Sequence, residues 1–263
     1  VAAALEGYEL PTFSQVVTSA LDELADPEVH LGRVAKILSH DPGLSVHFLR
    51  LANSAALGLR TSADTLDRAI AILGRNQVES ILIGRAVRGA MTGSSGVIEE
   101  RRFWTTAATR AVVATKLAQV LEPARRSEFF TAALLQDMAL PVLADVLDGY
   151  EELLAAWYAG TVEDLSHVEM ERFGFDHGTA GAFMCERWEF PPNLVEAIRT
   201  HHEEPEGEPT PVQLVEGWHE VDEERGPRVL RERGASVDAL SGRLDEILDD
   251  ALSGVDEVAR LFL

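Results

Sequence analysis

Few residues that carry chemistry occur at a spacing that predicts a known type of active site. Cys185 is the sole cysteine, so it cannot form a disulfide within the chain and has no partner at a metal-site spacing. Ser166 precedes His167, but any chain offers a serine and a histidine this close. The glycines from Gly84 to Gly96 lack the strand–turn–helix setting that cradles phosphates. We therefore expect neither a nucleophilic enzyme nor a phosphate loop.

The acidic residues are concentrated in the second half of the chain. Residues 1–126 contain 14 lysines and arginines against 13 aspartates and glutamates, whereas residues 127–263 contain 9 against 31. An acidic surface repels phosphate backbones, so we expect no nucleic-acid partner. The excess is typical of a solvated surface, and the alternative is a surface for a basic partner.

The hydropathy of the chain predicts no membrane association. No apolar run approaches the ~18–20 residues that a membrane span needs. The first residues, Val1 to Glu6, lack the basic and then apolar segments of a signal peptide. Together with the single cysteine, these features predict a cytoplasmic protein.

Apolar residues recur at helical spacing along nearly the whole chain. Asp41 and Pro42 predict a helix start, because a carboxylate N-cap is followed by proline at the first helical position. Gly74 is expected to end a later helix. No run of alternating polarity predicts a strand. The sequence therefore predicts an all-α fold, a multi-helix bundle, in which the helix after Asp41 presents one apolar face: Leu44, Phe48, Leu51 and Ala52.

Two boundaries divide the predicted helices into three parts. The small residues of 92–98 predict a junction, so we expect an N-terminal helical subdomain over 8–92 and a second one over 99–224. Residues 225–263 are expected to form an amphipathic helical tail. In the second subdomain, helices are predicted near 100–121, 126–137, 140–158, 162–173, 177–188, 191–203 and 210–224.

The tail carries an apolar stripe that Ser253 and Gly254 interrupt. The pattern predicts a helical hairpin, with one arm ending at Leu252 and the other running from Val255 to Phe262. Such a stripe usually packs on its own domain. The alternative is an interface with a second subunit, so a homodimer is a further expectation.

Several short blocks in the N-terminal part occur in a characteristic order: Leu10-Pro11, Asp41-Pro42, Leu51-Ala52-Asn53-Ser54, Ala69-Ile70 and Leu73-Gly74. In order and spacing these blocks resemble the HDOD family of bacterial signal-transduction proteins, whose name means HD-related output domain. The second half resembles the helical region of the HD superfamily that follows in that family, in a degenerate form. The likeness covers most of residues 8–224.

The central block of this signature is expected to have a structural role. Asp41-Pro42 starts a helix that has Leu51-Ala52 on its apolar face. The side chains of Asn53-Ser54 can bond free carbonyls and amides near the end of that helix. None of these residues makes an active site.

The resemblance also implies where the metal ligands of an HD-type phosphohydrolase would lie. Such enzymes use a histidine on one helix, an adjacent His-Asp pair on a second, further histidines and a late aspartate, so that the metal activates the attacking water. The first histidine would follow Phe103-Trp104 by two residues, where this chain has Thr106. The His-Asp pair would be Gln136-Asp137, so its histidine is replaced by glutamine. The late aspartate would lie near Trp218.

Four residues survive from this ligand set, namely Asp137, His177, His201 and His202. The oxygens of threonine and glutamine bind divalent transition metals weakly, so we expect no tight metal centre, no cofactor and no catalytic residue. We expect the survivors to hydrogen-bond one another and to keep the helix packing. Two alternatives remain open: a weak mononuclear site of Asp137 with one or two histidines, and a pocket for an anionic small molecule.

The resemblance implies a non-catalytic regulatory module that acts by binding other signalling proteins, in networks that use cyclic-di-GMP, two-component systems or motility control. Two rival functions follow from the relic ligand set. One is a divergent metal-dependent HD-type phosphohydrolase. The other is a sensor in which a nucleotide occupies the relic pocket.

Overall fold

Helices account for every regular element in the part of the chain that the computed structural model describes, which is residues 1–5, 8–10, 12–53, 62–91, 96–205, 207–219 and 224–263. The predicted all-α class is confirmed. Short 3-10 turns cover Pro123–Arg125 and Asp238–Leu240. The α-helices are α1 (Gln15–Leu24), α2 (Leu31–Leu38), α3 (Pro42–Ala52), α4 (Leu66–Ala90), α5 (Glu100–Leu121), α6 (Arg126–Leu135), α7 (Ala139–Val146), α8 (Tyr150–Tyr158), α9 (Leu165–Phe173), α10 (His177–Arg187), α11 (Pro192–Arg199), α12 (Pro211–Leu214), α13 (Arg225–Gly234) and α14 (Leu244–Ala259).

Helix α3 begins where the sequence predicts a helix start. Asp41 is the N-cap, and its side chain accepts a hydrogen bond from the amide of Leu44 at 3.0 Å. Pro42 takes the first helical position, where a missing N–H costs nothing. The predicted apolar face of α3 is buried: Leu44, Phe48, Leu51 and Ala52.

The side chain of Asn53 joins the end of α3 to the segment that leads into α4. Its Nδ2 donates to the carbonyls of Leu49 at 2.8 Å and Ala63 at 2.9 Å. Its Oδ1 accepts from the amide of Ala63 at 2.8 Å. Asn53 therefore ties the end of α3 to Ala63. Ser54 lies outside the described residues.

Residues 92–95 also lie outside them, so the domain junction at 92–98 stays a prediction.

Helix α4 bends at Gly74, whose φ of 74° and ψ of 167° are not helical. Glycine adopts this positive φ without the steric cost that a Cβ would add. Helix α4 packs against α2 and α3 and also against α6. Its contact with α6 includes a hydrogen bond from the Ser80 hydroxyl to the Ser127 carbonyl at 2.9 Å. Helix α4 thus connects the N-terminal helices to the rest of the bundle.

Two predicted helices are shorter than expected. The helix predicted over 140–158 is split into α7 and α8, because Gly149 between them has a φ of 78° that a continuous helix cannot contain. The helix predicted over 210–224 is reduced to α12. The chain then turns, and the carbonyl of Trp218 accepts a hydrogen bond from Arg110 at 2.9 Å instead of continuing a helical ladder.

Helix α14 runs unbroken through Ser253 and Gly254, so the predicted hairpin is wrong. Gly254 is buried, and the packing of α14 on α5 outweighs the cost of an internal glycine, roughly 1 kcal/mol. An ion pair between Lys116 Nζ and Asp250 Oδ2, at 2.5 Å, joins the two helices. The apolar stripe of the tail therefore packs on its own chain.

One stretch of the described residues is long and apolar enough to cross a membrane, namely Pro123–Val146. The expectation that no such run exists was wrong. However, 89% of its most apolar window is buried inside the fold. Such burial is typical of the core helices of a globular protein.

Candidate metal centre

The four residues that the sequence singled out come together at one end of the bundle. Asp137 lies in the turn between α6 and α7, and His177 is the first residue of α10. His201 and His202 follow Thr200, the C-cap of α11. A turn and two helix ends thus place one carboxylate and three imidazoles side by side.

The ligand atoms of this cluster are close enough to share one ion. Nε2 of His177 and Nε2 of His201 each lie 3.5 Å from Oδ1 of Asp137. Nε2 of His202 is 2.8 Å from Nε2 of His177. One nitrogen from each of the three rings lies within 4.8 Å of the others. Asp137, His177 and His201 are buried, and His202 is partly exposed.

Glu169 fixes the orientation of His177. This fully buried carboxylate on α9 accepts from both the backbone N–H and Nδ1 of His177, at 2.8 and 2.7 Å through Oε2. Its Oε1 accepts a short hydrogen bond from the hydroxyl of Tyr150. Because Nδ1 is held in this way, Nε2 of His177 points toward Asp137.

The glycine that follows His177 favours the close approach of α10 to the end of α11. A Cβ at Gly178 would lie 3.1 Å from the carbonyl of Arg199 and 3.1 Å from the ring of His201. Both contacts are tighter than ordinary packing allows. The small residue therefore lets His177 and His201 meet.

Arg110 is a buried cation at the centre of the site. It lies on α5 with 1% of its surface exposed and forms an ion pair with Oδ2 of Asp137. Its guanidinium also donates to the carbonyl of Trp218 at 2.9 Å and to that of Ala133 at 3.3 Å. Asp137 therefore has one oxygen on Arg110 and the other facing the histidines.

The cluster opens to solvent through a cleft of about 290 Å³. Glu216 lies in this cleft, with its carboxylate 3.6 Å from Nδ1 of His202 and 2.6 Å from the guanidinium of Arg233. Four carboxylates line the cleft besides Asp137, against two arginines, so its charge is negative on balance. The charged residues are Glu163, Asp164, Glu204, Glu216, Arg225 and Arg233.

The three positions where the resemblance implied further ligands have other roles. Thr106 is half-buried on α5, one helical turn before Arg110. Gln136 is fully buried, and its side-chain oxygen and nitrogen have no hydrogen-bond partner among the described residues. Trp218 contributes its carbonyl to Arg110. Two residues earlier, Glu216 supplies a carboxylate, but it faces the outer nitrogen of His202.

The environment sets the protonation of the site. Burial lowers the pKa of His177, but the carboxylates of Glu169 and Asp137 outweigh it and raise that pKa to about 10. Burial raises the pKa of Asp137, but Arg110 and the two histidine rings hold it well below its usual value. Burial, with help from His201, lowers the pKa of His202 to about 4. At neutral pH, His177 thus donates its Nε2 proton to the neutral ring of His202.

The sequence analysis missed Arg110, Glu169 and Glu216. A signal existed for Arg110, since it interrupts a run of small and apolar residues on α5 from Ala107 to Ala114. Glu169 lies eight residues before His177 on a largely polar helix, and nothing in its spacing indicates burial. Glu169 became recognisable only from its contacts.

A two-metal centre of the HD type does not fit these residues. Thr106 and Gln136 stand where two imidazoles would be needed, and the guanidinium of Arg110 lies on Oδ2 of Asp137. A single ion does fit the donor set, since the three imidazoles and Oδ1 of Asp137 converge without them. The chemistry that such an ion supplies is binding and polarisation of oxygen or nitrogen ligands.

The sequence and the fold were compared with known proteins. The sequence model of the HDOD domain matches residues 10–204. An uncharacterized protein of Treponema pallidum (strain Nichols) is 21% identical over 209 residues, which is 75% of this chain and 38% of that protein. The chain therefore spans well under half the length of this curated relative.

Several solved structures share the fold. A candidate phosphohydrolase from Shewanella amazonensis SB2B has a TM-score of 0.77 and 26% identity, covering 100% of this chain and 98% of its own. An HDOD domain protein of unknown function from Geobacter sulfurreducens has a TM-score of 0.71 and 18% identity, over 95% and 93% of the two chains. A candidate signal transduction protein from Marinobacter aquaeolei VT8 has a TM-score of 0.68 and 19% identity, over 97% and 61%.

Proposed function

This chain belongs to the HDOD family, and we propose on that basis that it is a regulatory module of bacterial signal transduction that does not hydrolyse phosphodiesters. The ion pair between Arg110 and Asp137 is the observation that supports the absence of phosphodiester hydrolysis. The guanidinium uses one oxygen of the carboxylate on which an HD-type enzyme would depend. With Thr106 and Gln136 at two ligand positions, the set needed to activate water is incomplete.

The charge of the cleft supports the same proposal. A phosphodiester is an anion, and four carboxylates besides Asp137 line the cleft that leads to His177 and His202. Two arginines do not balance them. An excess of negative charge lowers the local concentration of an anionic substrate.

The module acts by binding other signalling proteins in the cytoplasm, in pathways of the cyclic-di-GMP or two-component type. The acidic half of the chain supports a protein partner over a nucleic acid, because phosphate backbones are repelled there. Self-association into a homodimer is part of this proposal. Light scattering on the purified chain measures its mass and so tests the homodimer. A protein partner identified by affinity capture must also bind the purified chain saturably.

A hydrolysis assay tests the non-catalytic part. The full chain is supplied with Mn²⁺, Fe²⁺ or Zn²⁺ and offered bis(p-nitrophenyl) phosphate and cyclic-di-GMP, with Asp137→Ala as the matched variant. We expect turnover no higher than in the variant. Metal-dependent hydrolysis that is lost in Asp137→Ala would contradict the proposal.

Metal-dependent hydrolysis that is lost in Asp137→Ala would favour a second candidate function, a divergent metal-dependent phosphohydrolase. Two observations support this candidate: the 26% identity to a candidate phosphohydrolase over the whole chain, and the convergence of three histidines on Asp137. A nucleotide-sensing role gives a third result, namely saturable thermal stabilisation by a nucleotide without turnover.

A further inference from the structure

Each of the three histidines of the cluster has its outer ring nitrogen, Nδ1, placed as in typical metal ligands. Nδ1 of His177 bonds to Glu169 at 2.7 Å, and Nδ1 of His201 bonds to the carbonyl of Ile198 at 2.7 Å. Nδ1 of His202 faces Glu216 at 3.6 Å. Histidine ligands in proteins usually place one nitrogen on a carboxylate or carbonyl and offer the other to the ion. All three Nε2 atoms are left on the inner side.

The inner nitrogen of His201 has no hydrogen-bond partner among the described residues. The residue is fully buried, and its Nε2 lies 3.5 Å from Oδ1 of Asp137 without hydrogen-bond geometry. A buried polar atom without a partner destabilises the fold. A cation between this nitrogen and the carboxylate oxygen would satisfy both.

Three of the six separations between ligand atoms in the cluster are close to those around a single ion. Ligand atoms on a tetrahedral Zn²⁺ with bonds of about 2.0–2.1 Å lie about 3.3 Å apart. The separations here are 3.5 Å for Asp137 to His177, 3.5 Å for Asp137 to His201 and 2.8 Å for His177 to His202. One nitrogen from each of the three rings lies within 4.8 Å of the others.

We propose that His177, His201, His202 and Asp137 bind one divalent transition-metal ion, and that Arg110 takes the place beside Asp137 that a second ion would need. Thr106 and Gln136 stand at the two positions whose lost ligands predicted no tight metal centre. This four-residue set uses neither position. The guanidinium supplies positive charge to Oδ2 of Asp137 permanently, while Oδ1 stays available on the histidine side.

The chemistry of the donors selects the class of ion. Three imidazoles and one carboxylate favour Zn²⁺ and its neighbours Co²⁺ and Ni²⁺ over Mg²⁺ and Ca²⁺, which prefer all-oxygen sites. Four protein ligands fill the shell of a structural zinc site, whereas hydrolytic sites keep one position open. The carboxylates of the cleft attract a cation toward the partly exposed His202. The site is therefore suited to metal-dependent stabilisation or sensing.

Metal uptake by the full chain tests this proposal. The protein is stripped with a chelator, checked by circular dichroism and titrated with Co²⁺, whose visible absorption reports tetrahedral coordination. Zn²⁺ then displaces the Co²⁺, and elemental mass spectrometry counts ions per chain. We expect one ion per chain, with no comparable binding of Mg²⁺.

The decisive variant is His202→Ala, because this partly exposed ring can be removed with little loss of packing. The matched control is His167→Ala, an exposed histidine on α9. We expect the affinity to fall by more than about 100-fold in the first variant and to stay unchanged in the second. If His202→Ala does not fold, His202→Gln replaces it.

Three outcomes would overturn the proposal. The metal site is refuted if the parent chain takes up no ion, or if the His202 variant takes up as much as the parent chain. Two ions per chain would refute the role of Arg110. These results are independent of the hydrolysis assay, because a loaded protein without turnover leaves both proposals standing, and turnover contradicts only the proposed function.

Discussion

The guanidinium of Arg110 and the carboxylate of Asp137 form a buried ion pair between α5 and the turn that joins α6 to α7. The same guanidinium bonds to the carbonyls of Ala133 and Trp218, so it also holds the segment after α12. Neither charge can be hydrated alone, because both side chains are shielded from water. Each partner is therefore needed to compensate the burial of the other.

Replacement of Arg110 by methionine should lower the free energy of unfolding by about 3–5 kcal/mol, because Asp137 is left as a buried and uncompensated charge. Urea denaturation in the presence of a chelator measures the change. The control is Arg231→Met, which breaks an exposed ion pair with Asp245. The control should lower the free energy of unfolding by less than about 1 kcal/mol.

A double variant separates the charge pair from the packing of its side chains. Arg110→Met combined with Asp137→Leu should cost less than the sum of the two single changes, since the double variant leaves no lone charge. Additive losses would show that the pair contributes no coupling, and would remove the basis of the first prediction.

The sequence, through its resemblance to the HDOD family, singled out the four residues that the structure brings together in the cluster. It could not identify Arg110 or Glu169. Both are charged residues whose burial depends on contacts between helices that are distant in the sequence, and periodicity describes only one helix at a time. The inner partners of the site were therefore accessible only from the fold.

The predictions for the helices at Gly149 and Gly254 were wrong for a similar reason. The break at Gly149 needs a positive φ that glycine permits but does not demand, whereas Gly254 lies inside α14 with helical geometry. The same residue type therefore ended one helix and continued another. Packing of α14 on α5 decided the second case, and sequence alone does not contain that contact.

Glu169→Gln should disturb His177 without removing a ligand atom. The carboxylate accepts from two nitrogens of His177 and from Tyr150, and an amide would turn an NH₂ group toward one of these donors. We expect a loss of roughly 1–3 kcal/mol in stability and a 10–100-fold loss, roughly, in metal affinity. Glu171→Gln, an exposed change on the same helix, should alter neither. Equal metal binding by both variants would argue against an orienting role.

Asn53→Ala should destabilise the N-terminal helices. Its side chain makes three hydrogen bonds that join the end of α3 to Ala63, ahead of α4. Alanine leaves their backbone partners without these bonds. The expected loss is roughly 1–3 kcal/mol by urea denaturation. Gln15→Ala removes one exposed side-chain bond in α1 and should change stability by no more than about 0.5 kcal/mol. Similar losses of stability in the two variants would show that Asn53 does not stabilise the N-terminal helices.

Alkylation of Cys185 should report the opening of the second half of the fold. The thiol on α10 is fully buried, and burial together with Glu186 raises its pKa, so the reactive thiolate is scarce in the native protein. Iodoacetamide should label it only when α10 opens, and the rate should rise steeply as urea approaches the unfolding midpoint. Ser241→Cys in a Cys185→Ala background provides an exposed thiol for comparison. It should react fast at all urea concentrations, and equally fast labelling of native Cys185 would contradict the packing of α10 against α11.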